Sequence, residues 1–427
     1  MNLLIPSTKK ENKKRAITSL NPLKRYRLPL KAFGGTLMQP VVVAGDYVRK
    51  NQLVAESNSP FYNSIHSPVS GWVSSEPDWD GLYLSIKNDF LELEEDKLYF
   101  DPNDLSGEEL LLLIKESGIV GCGGAQFPTY AKYLFDGDRQ VDYFIVNGTE
   151  CEPYLTADYA LMSEYPEQIL GGIACVQKII KAKHIVITLE RQNKELQKNF
   201  ESSSLFASLP LAIKIVPDNY PQGGELQLIK TVTGIELRKG VLPSSIGIVV
   251  NNVATLWEIY KAVYQRQKYI ERIVSLSDKE KALGGNYLVK IGTPIEEMLK
   301  YLVPEYDDRN IALVVKGGPM MGTIVEPLSA SIDKGTGGLM LLPQINQKIE
   351  NCIGCGYCVE VCPQRLMPLE FIQQTSNSNI PHLSKYNVND CIECAACEYI
   401  CPSEIPLISH IRRGKQLISM LKKGKND

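Results

Sequence analysis

Short apolar runs separated by turn residues fill the first quarter of the chain. Residues 26–30, 41–43, 52–55, 71–74 and 82–86 read as strands, with turns at Gly45-Asp46 and at the Pro-Val-Ser-Gly stretch 68–71. Beyond residue 107 the pattern changes. Segments 108–117 and 164–180 read as amphipathic helices, and 143–146, 185–189 and 214–216 as short buried strands. Helices alternating with buried strands predict an α/β layer on a parallel sheet. Residues 284–345 return to shorter strands, with one helix near 294–302 and the glycine-rich Lys316-Gly-Gly-Pro-Met-Met-Gly322, a small α+β module. The remainder, 346–420, reads as helical. The divisions are therefore 1–22, a basic disordered tail; 23–100, a β domain; 101–282, α/β; 283–345, the small module; and 346–427, a helical domain with a basic tail.

Composition narrows the class. A chain of 427 residues exceeds what one core supports and predicts about three domains. Its 44% hydrophobic and 22% charged residues are those of an ordinary globular protein. A net charge of −3 excludes a dominantly nucleic-acid-facing surface. No stretch approaches eighteen apolar residues and no apolar segment follows the first basic residues, so neither a transmembrane helix nor a signal peptide is expected. The ends are basic: Lys9, Lys10, Lys13, Lys14 and Arg15 against Glu11, and Arg412, Arg413, Lys415, Lys422, Lys423 and Lys425. They read either as solvated tails or as contacts with anionic lipid or an acidic partner.

Eight of the eleven cysteines fall in two copies of C-x2-C-x2-C-x3-C-P: Cys352, Cys355, Cys358, Cys362-Pro363, then Cys391, Cys394, Cys397, Cys401-Pro402. In a protein carrying two [4Fe–4S] clusters, three closely spaced thiolates converge on one cluster and the fourth reaches the other. One cluster is then held by Cys352, Cys355, Cys358 and Cys401, the second by Cys391, Cys394, Cys397 and Cys362. Paired zinc sites or disulfides are the alternative, but tetrahedral zinc needs neither the third close cysteine nor the trailing Cys-Pro. Thiolate clusters imply a reducing compartment, hence the cytoplasm. Cys122, Cys151 and Cys175 read as buried structural thiols.

A second constellation starts at Gly121-Cys-Gly123-Gly124-Ala-Gln-Phe127-Pro-Thr129, followed by Lys132. Such glycines either let backbone N–H groups approach a phosphate or form a tight structural turn. The spacing is neither the Rossmann fingerprint nor a Walker loop. Asn147-Gly-Thr-Glu150-Cys-Glu152-Pro153 follows a strand, where ligands of parallel sheets gather. Tyr220-Pro-Gln-Gly223-Gly224-Glu225 and Val250-Asn251-Asn252-Val-Ala-Thr255 come later.

Together these segments resemble the flavin-binding subunit of respiratory complex I and, more closely, the RnfC family, the C subunits of Rnf electron-transport complexes. The stretches beginning at Gly45 and His66 resemble the half-repeats of a biotinyl/lipoyl-type barrel-sandwich, without a carrier lysine at the turn. The resemblance implies a multidomain α/β and α+β fold. Its parts are a barrel-sandwich hybrid, an α/β flavin-binding layer, a small ubiquitin-like soluble-ligand-binding β module and an all-α ferredoxin-type two-cluster domain. It implies non-covalent FMN at Gly121, Gly123, Gly124, Lys132, Asn147, Glu150, Gly223, Gly224, Asn251 and Asn252. NAD(H) is implied at Phe127, by stacking, and at Glu152, Tyr220 and Glu225; a carboxylate on the ribose diol favours NADH over NADPH. Electrons would pass from NADH through FMN to the two clusters, or in reverse. The partners implied are the other Rnf subunits, a ferredoxin-like iron–sulfur protein among them, at the cytoplasmic face of the inner membrane. Two other readings are a soluble relative feeding a cobalamin or amino-acid reductase, and a cluster-only scaffold that binds no NADH. Three departures stand out: Gln126 replaces the second glycine of the G-A-G-F-P-T core, Cys122 sits inside the loop, and basic polar sequence stands where Rnf subunits carry G-G-I-H-P-P.

Overall fold

The computed structural model describes residues 3–6, 9–31, 33–57, 61–74, 82–96, 100–135, 140–238, 240–278, 284–303, 311–328, 330–343 and 348–423. Two small antiparallel sheets make the first domain. One orders Arg25–Pro29, Tyr83–Asn88, Gly71–Val73 and Tyr47–Val48; the other orders Gln39–Pro40, Leu53–Ser57 and Asn63–His66. Tyr26, Leu28, Val48, Val54, Ile65 and Ile86 from both sheets share one core. The expected strand at 41–43 is instead a turn: the Val43 N–H donates to the Asp46 carboxylate at 2.8 Å, and Val43 is exposed. Local side-chain capping outcompetes the β preference of valine there.

The α/β layer is built on four parallel strands in the order Leu211–Val216, His184–Glu190, Tyr143–Gly148, Ile248–Asn252. Helices Gly107–Glu116, Pro166–Ile180 and Val253–Tyr264 bury their apolar faces in its core, among them Leu110, Ile114, Ile173, Val176, Leu256 and Ile259. The first begins with a capping box, the Ser106 hydroxyl accepting from Glu109 N–H and the Glu109 carboxylate accepting from Ser106 N–H. The helix expected over 164–180 forms as Pro166–Ile180, directly after a separate helix, Ala157–Glu164. Pro166 has no N–H to continue the first, and its fixed φ suits the first position of the second.

The small module is larger than the sequence suggests. Its sheet runs Ile17–Ser19, Gly284–Lys290, Glu271–Asp278, Gly338–Leu342, Leu313–Lys316, Thr323–Val325, with helix Ile295–Leu302. Glu271–Asp278, assigned above to the α/β unit, pairs antiparallel with Gly284–Lys290. Ile17–Ser19, assigned to a disordered tail, pairs parallel with the same strand. That tail is ordered upstream as well. Helix Lys10–Lys13 follows a buried Lys9, and Asn12 donates to Leu276 O at 3.2 Å and to Ser277 Oγ at 2.8 Å. Charged composition signalled disorder, but the charges meet acceptors supplied by distant segments.

The C-terminal domain packs Pro368–Ser376, Ile380–Lys385 and Leu407–Lys423 around Phe371, Leu383 and Ile411. The expected basic tail belongs to the last helix, where Arg412 and Lys415 pair with Glu393 at 2.8 and 2.5 Å. Lys425 lies outside the described residues. Among the described residues no helix is long and apolar enough to cross a membrane.

Candidate functional site

The glycine loop closes on itself, the Gly121 N–H donating to Phe127 O at 2.8 Å. Gly123 and Gly124 are exposed. Gly124 has φ +102°, and a Cβ there would project into open space with no protein atom within 4 Å. The backbone thus forms an open cradle that a side chain would fill, which suits a phosphate. The loop is anchored from below. Cys122 N–H donates to Thr255 Oγ1 at 3.0 Å, and the buried Cys122 thiol lies 3.2 Å from the Tyr269 hydroxyl, which donates to Lys334 O at 2.9 Å. Burial pushes the Cys122 thiol pKa up.

Asn147 and Asn252 end neighbouring strands in register, at the carboxyl edge of the sheet. Asn147 Nδ2 donates to Gly223 O at 2.9 Å and fixes the second glycine pair. Asn251 Oδ1 accepts from the Tyr133 hydroxyl at 3.1 Å. Asn252 caps helix Val253–Tyr264, and its Nδ2 donates to Asp158 at 2.6 Å. Glu150 is buried and accepts from the N–H groups of Asp158 and Tyr159 at 3.2 and 3.4 Å. Burial raises its pKa, Lys9 opposing. Lys132 donates to Val250 O at 2.9 Å and lies 3.4 Å from Glu225. The residues assigned to FMN therefore do gather around one strand edge. Tyr133, Thr255 and Asp158 support them and were not singled out in the sequence for that role; only the N-N-V-A-T stretch carried a hint.

Three of the four residues assigned to the dinucleotide, Phe127, Glu152 and Tyr220, are engaged by other parts of the chain. Phe127 packs edge-on between Phe33 and Phe61 of the barrel-sandwich domain, both centroids 5.1 Å away. Glu152 accepts the N–H groups of Met320 and Met321 at 3.1 and 2.7 Å, holding the G-G-P-M-M-G turn. The Tyr220 hydroxyl donates to Cys394 O at 2.7 Å. Glu225 is exposed at the start of helix Glu225–Thr233. Gln126, with φ +55°, lies against Gly335.

The cysteines divide into two sets. Cys352, Cys355, Cys358 and Cys401 line one pocket; Cys362, Cys391, Cys394 and Cys397 line another. These are the crossed sets that the spacing predicts, and none of the cysteines is in a disulfide. Leu366 N–H and Glu393 N–H donate to Cys362 and Cys391 sulfur at 3.4 and 3.3 Å. The two wraps are conformationally equivalent: Gly354 and Gly356 at φ +67° and +80° correspond to Glu393 and Ala395 at +56° and +58°. The non-glycine copy holds costlier left-handed backbone. Cys352 and Cys355 are exposed, whereas Cys394 and Cys397 are buried beside Leu3, Tyr220 and Met320. Cys175 is buried and Cys151 half-buried, the latter packed against this same core.

The modules match known families in the same order. Residues 3–76 match the RnfC barrel sandwich hybrid domain, 114–261 the Nuo51 FMN-binding domain and 351–405 the 4Fe-4S dicluster domain. The C subunit of the ion-translocating oxidoreductase complex of Haemophilus influenzae (strain 86-028NP) is 34% identical over 411 residues, covering 93% of this chain and 61% of that protein. Its counterpart in Vibrio cholerae O395 is 36% identical over 358 residues, 80% of this chain and 45% of the relative. The C subunit of the proton-translocating ferredoxin:NAD(+) oxidoreductase complex of Clostridium ljungdahlii is 33% identical over 352 residues, 80% of this chain and 76% of that one. An NAD+-reducing [NiFe]-hydrogenase in the H2-reduced state aligns with TM-score 0.54 at 18% identity, over 75% of this chain and 62% of its own, a likeness of fold.

The fold and its sites define an iron–sulfur flavoprotein with an FMN-binding domain and a 4Fe-4S dicluster domain. The chain belongs to the RnfC family, although it spans only about three-fifths of the Haemophilus relative. The barrel-sandwich family match begins at residue 3, inside the segment whose composition reads as a tail.

Proposed function

We propose that this chain is the electron-transfer subunit of an Rnf-like membrane complex, at its cytoplasmic face. It would pass electrons between NAD(H), FMN and two [4Fe–4S] clusters, to or from a ferredoxin-type iron–sulfur partner. The observation that carries this reading is the junction of the flavin sheet with the buried cysteine set, made by Tyr220 and Cys394. Bound at the glycine loop, FMN would exchange the two electrons of a hydride with NAD(H) and pass them on singly. The chain supplies the rest. Gly123 and Gly124 present open backbone, Thr255 anchors Cys122 N–H from below, and the Leu366 and Glu393 amides stabilise thiolate charge. The buried set, which abuts the flavin domain, would receive electrons first; the exposed set, rimmed by exposed Ile353 and Tyr357, would hand them to the partner.

A second reading has its own support. Phe127, Glu152 and Tyr220 are engaged within the chain, which favours a cluster-bearing scaffold whose dinucleotide entrance is closed. Anaerobic titration of the FMN- and cluster-loaded protein with NADH separates the two. Bleaching of flavin and then of cluster absorption supports the first. Bleaching by dithionite alone supports the scaffold.

A further inference from the structure

The N-terminal segment crosses the flavin sheet in a way that a tie between domains does not require. Leu3 accepts the Tyr220 N–H at 2.8 Å and packs into the core beside Cys394. Six residues on, Lys9 is only 2% exposed and its ammonium donates to the backbone carbonyl of Glu150. Its electrostatic surroundings are acidic: Glu150, Glu152 and Asp158 all lie within its reach. Lys13, the next cation, donates to Asn193 and sits over the Tyr159 ring. A buried ammonium is unfavourable unless paired and hydrogen-bonded. Binding the segment does not demand one, because Asn12, Arg15 and the Ile17–Ser19 strand already secure it further along.

The location gives this cation a task. Glu150 stands three residues after Asn147 and caps the helix that carries Asp158, the partner of Asn252, so Lys9 contacts the strand edge where the flavin residues gather. The ammonium of Lys9 favours added negative charge there. A flavin held at this edge would carry one more negative charge after accepting a hydride from NADH.

We propose that Lys9 is a positioning residue for charge: it stabilises reduced FMN relative to oxidised FMN and so raises the flavin's reduction potential. This rests on the flavin reading above. Its effect passes through space and needs no proton or bond transfer by Lys9 itself.

The test is the ratio of dissociation constants for oxidised and dithionite-reduced FMN, measured anaerobically by equilibrium dialysis on the full-length, cluster-loaded chain. Lys9→Met should weaken binding of reduced FMN at least about tenfold more than that of oxidised FMN, given a unit charge at short range in a partly buried site. Lys9→Gln, which keeps a donor for Glu150 but no charge, should behave alike, and Lys9→Arg should return the ratio to within about threefold of wild type. An unchanged ratio in whichever neutral variant folds overturns the proposal, and a lowered melting temperature with that unchanged ratio marks Lys9 as a tie only. Wild-type protein that binds neither form of FMN overturns the flavin reading and this proposal with it.

Discussion

The Tyr220 hydroxyl donates to the carbonyl oxygen of Cys394 across 2.7 Å, joining the loop that closes the flavin sheet to the wrap around the buried cysteine set. Tyr220 is 6% and Cys394 6% exposed, so water offers neither group a substitute. Such a bond contributes about 1 kcal/mol net, roughly a fivefold shift between docked and locally opened states. Tyr220→Phe keeps the ring and removes the bond. Backbone amides of residues 391–397 should then exchange with deuterium about fivefold faster, while those of 352–358 keep their wild-type rates.

The crossed ligand sets predict a pattern of iron loss. Wild-type protein with both clusters carries about eight irons, and Cys394→Ala or Cys362→Ala should each leave about four. Because those two thiols line one cavity, the double variant should also retain about four. Cys355→Ala combined with Cys362→Ala empties both cavities and should leave almost none. Iron analysis with low-temperature EPR would show a different pattern if each run bound its own cluster.

Gly124→Ala separates backbone strain from crowding. No protein atom lies within 4 Å of the added methyl, but φ is +102°, so the penalty is conformational, about 1–2 kcal/mol. The methyl also enters the cradle. FMN affinity, followed by quenching of flavin fluorescence, should fall about tenfold or more, with melting temperature lowered by only a few degrees.

His66 makes the fold sensitive to acid. It is buried, its Nδ1 has no hydrogen-bond partner among the described residues, and burial together with Lys334 and Lys268 holds its pKa well below 6.5. The folded protein therefore binds fewer protons than the unfolded chain below pH 6.5. Stability from this group is complete above that value and is lost as pH falls through it. His66→Gln should flatten the decline between pH 6.5 and 5 by up to about 1.4 kcal/mol per pH unit. Denaturant unfolding at matched ionic strength measures the difference; parallel declines in both proteins would contradict it.

Much of the molecule was legible in order of residues. The two cysteine runs point to their groupings because spacings of two and three residues are set by covalent geometry, and only the crossing of the fourth thiol, seen in the two pockets, needs the fold. Strands Tyr143–Gly148 and His184–Glu190 were visible as apolar runs between helical patterns, and Asn147 and Asn252 meet where strand ends of a parallel sheet meet. The valine run at 41–43 misled because one aspartate side chain captures its backbone.

The remaining features depend on partners far away in the chain, which composition and periodicity do not encode. Lys9 meets Glu150 across 141 residues, Glu152 meets Met321 across 169, and Tyr220 meets Cys394 across 174. A basic N-terminus, a strand-end glutamate and a tyrosine before proline each had a plausible solvent-facing or ligand-facing role in sequence. Tertiary packing buried them instead, and a buried polar group must find a partner wherever the fold supplies one. Sequence alone thus determined the kinds of cofactor domain and their order along the chain. The tertiary structure decided which cysteine set abuts the α/β sheet, which candidate ligands are already engaged, and that a lysine from the first ten residues meets the Glu150 carbonyl beside the strand edge of Asn147.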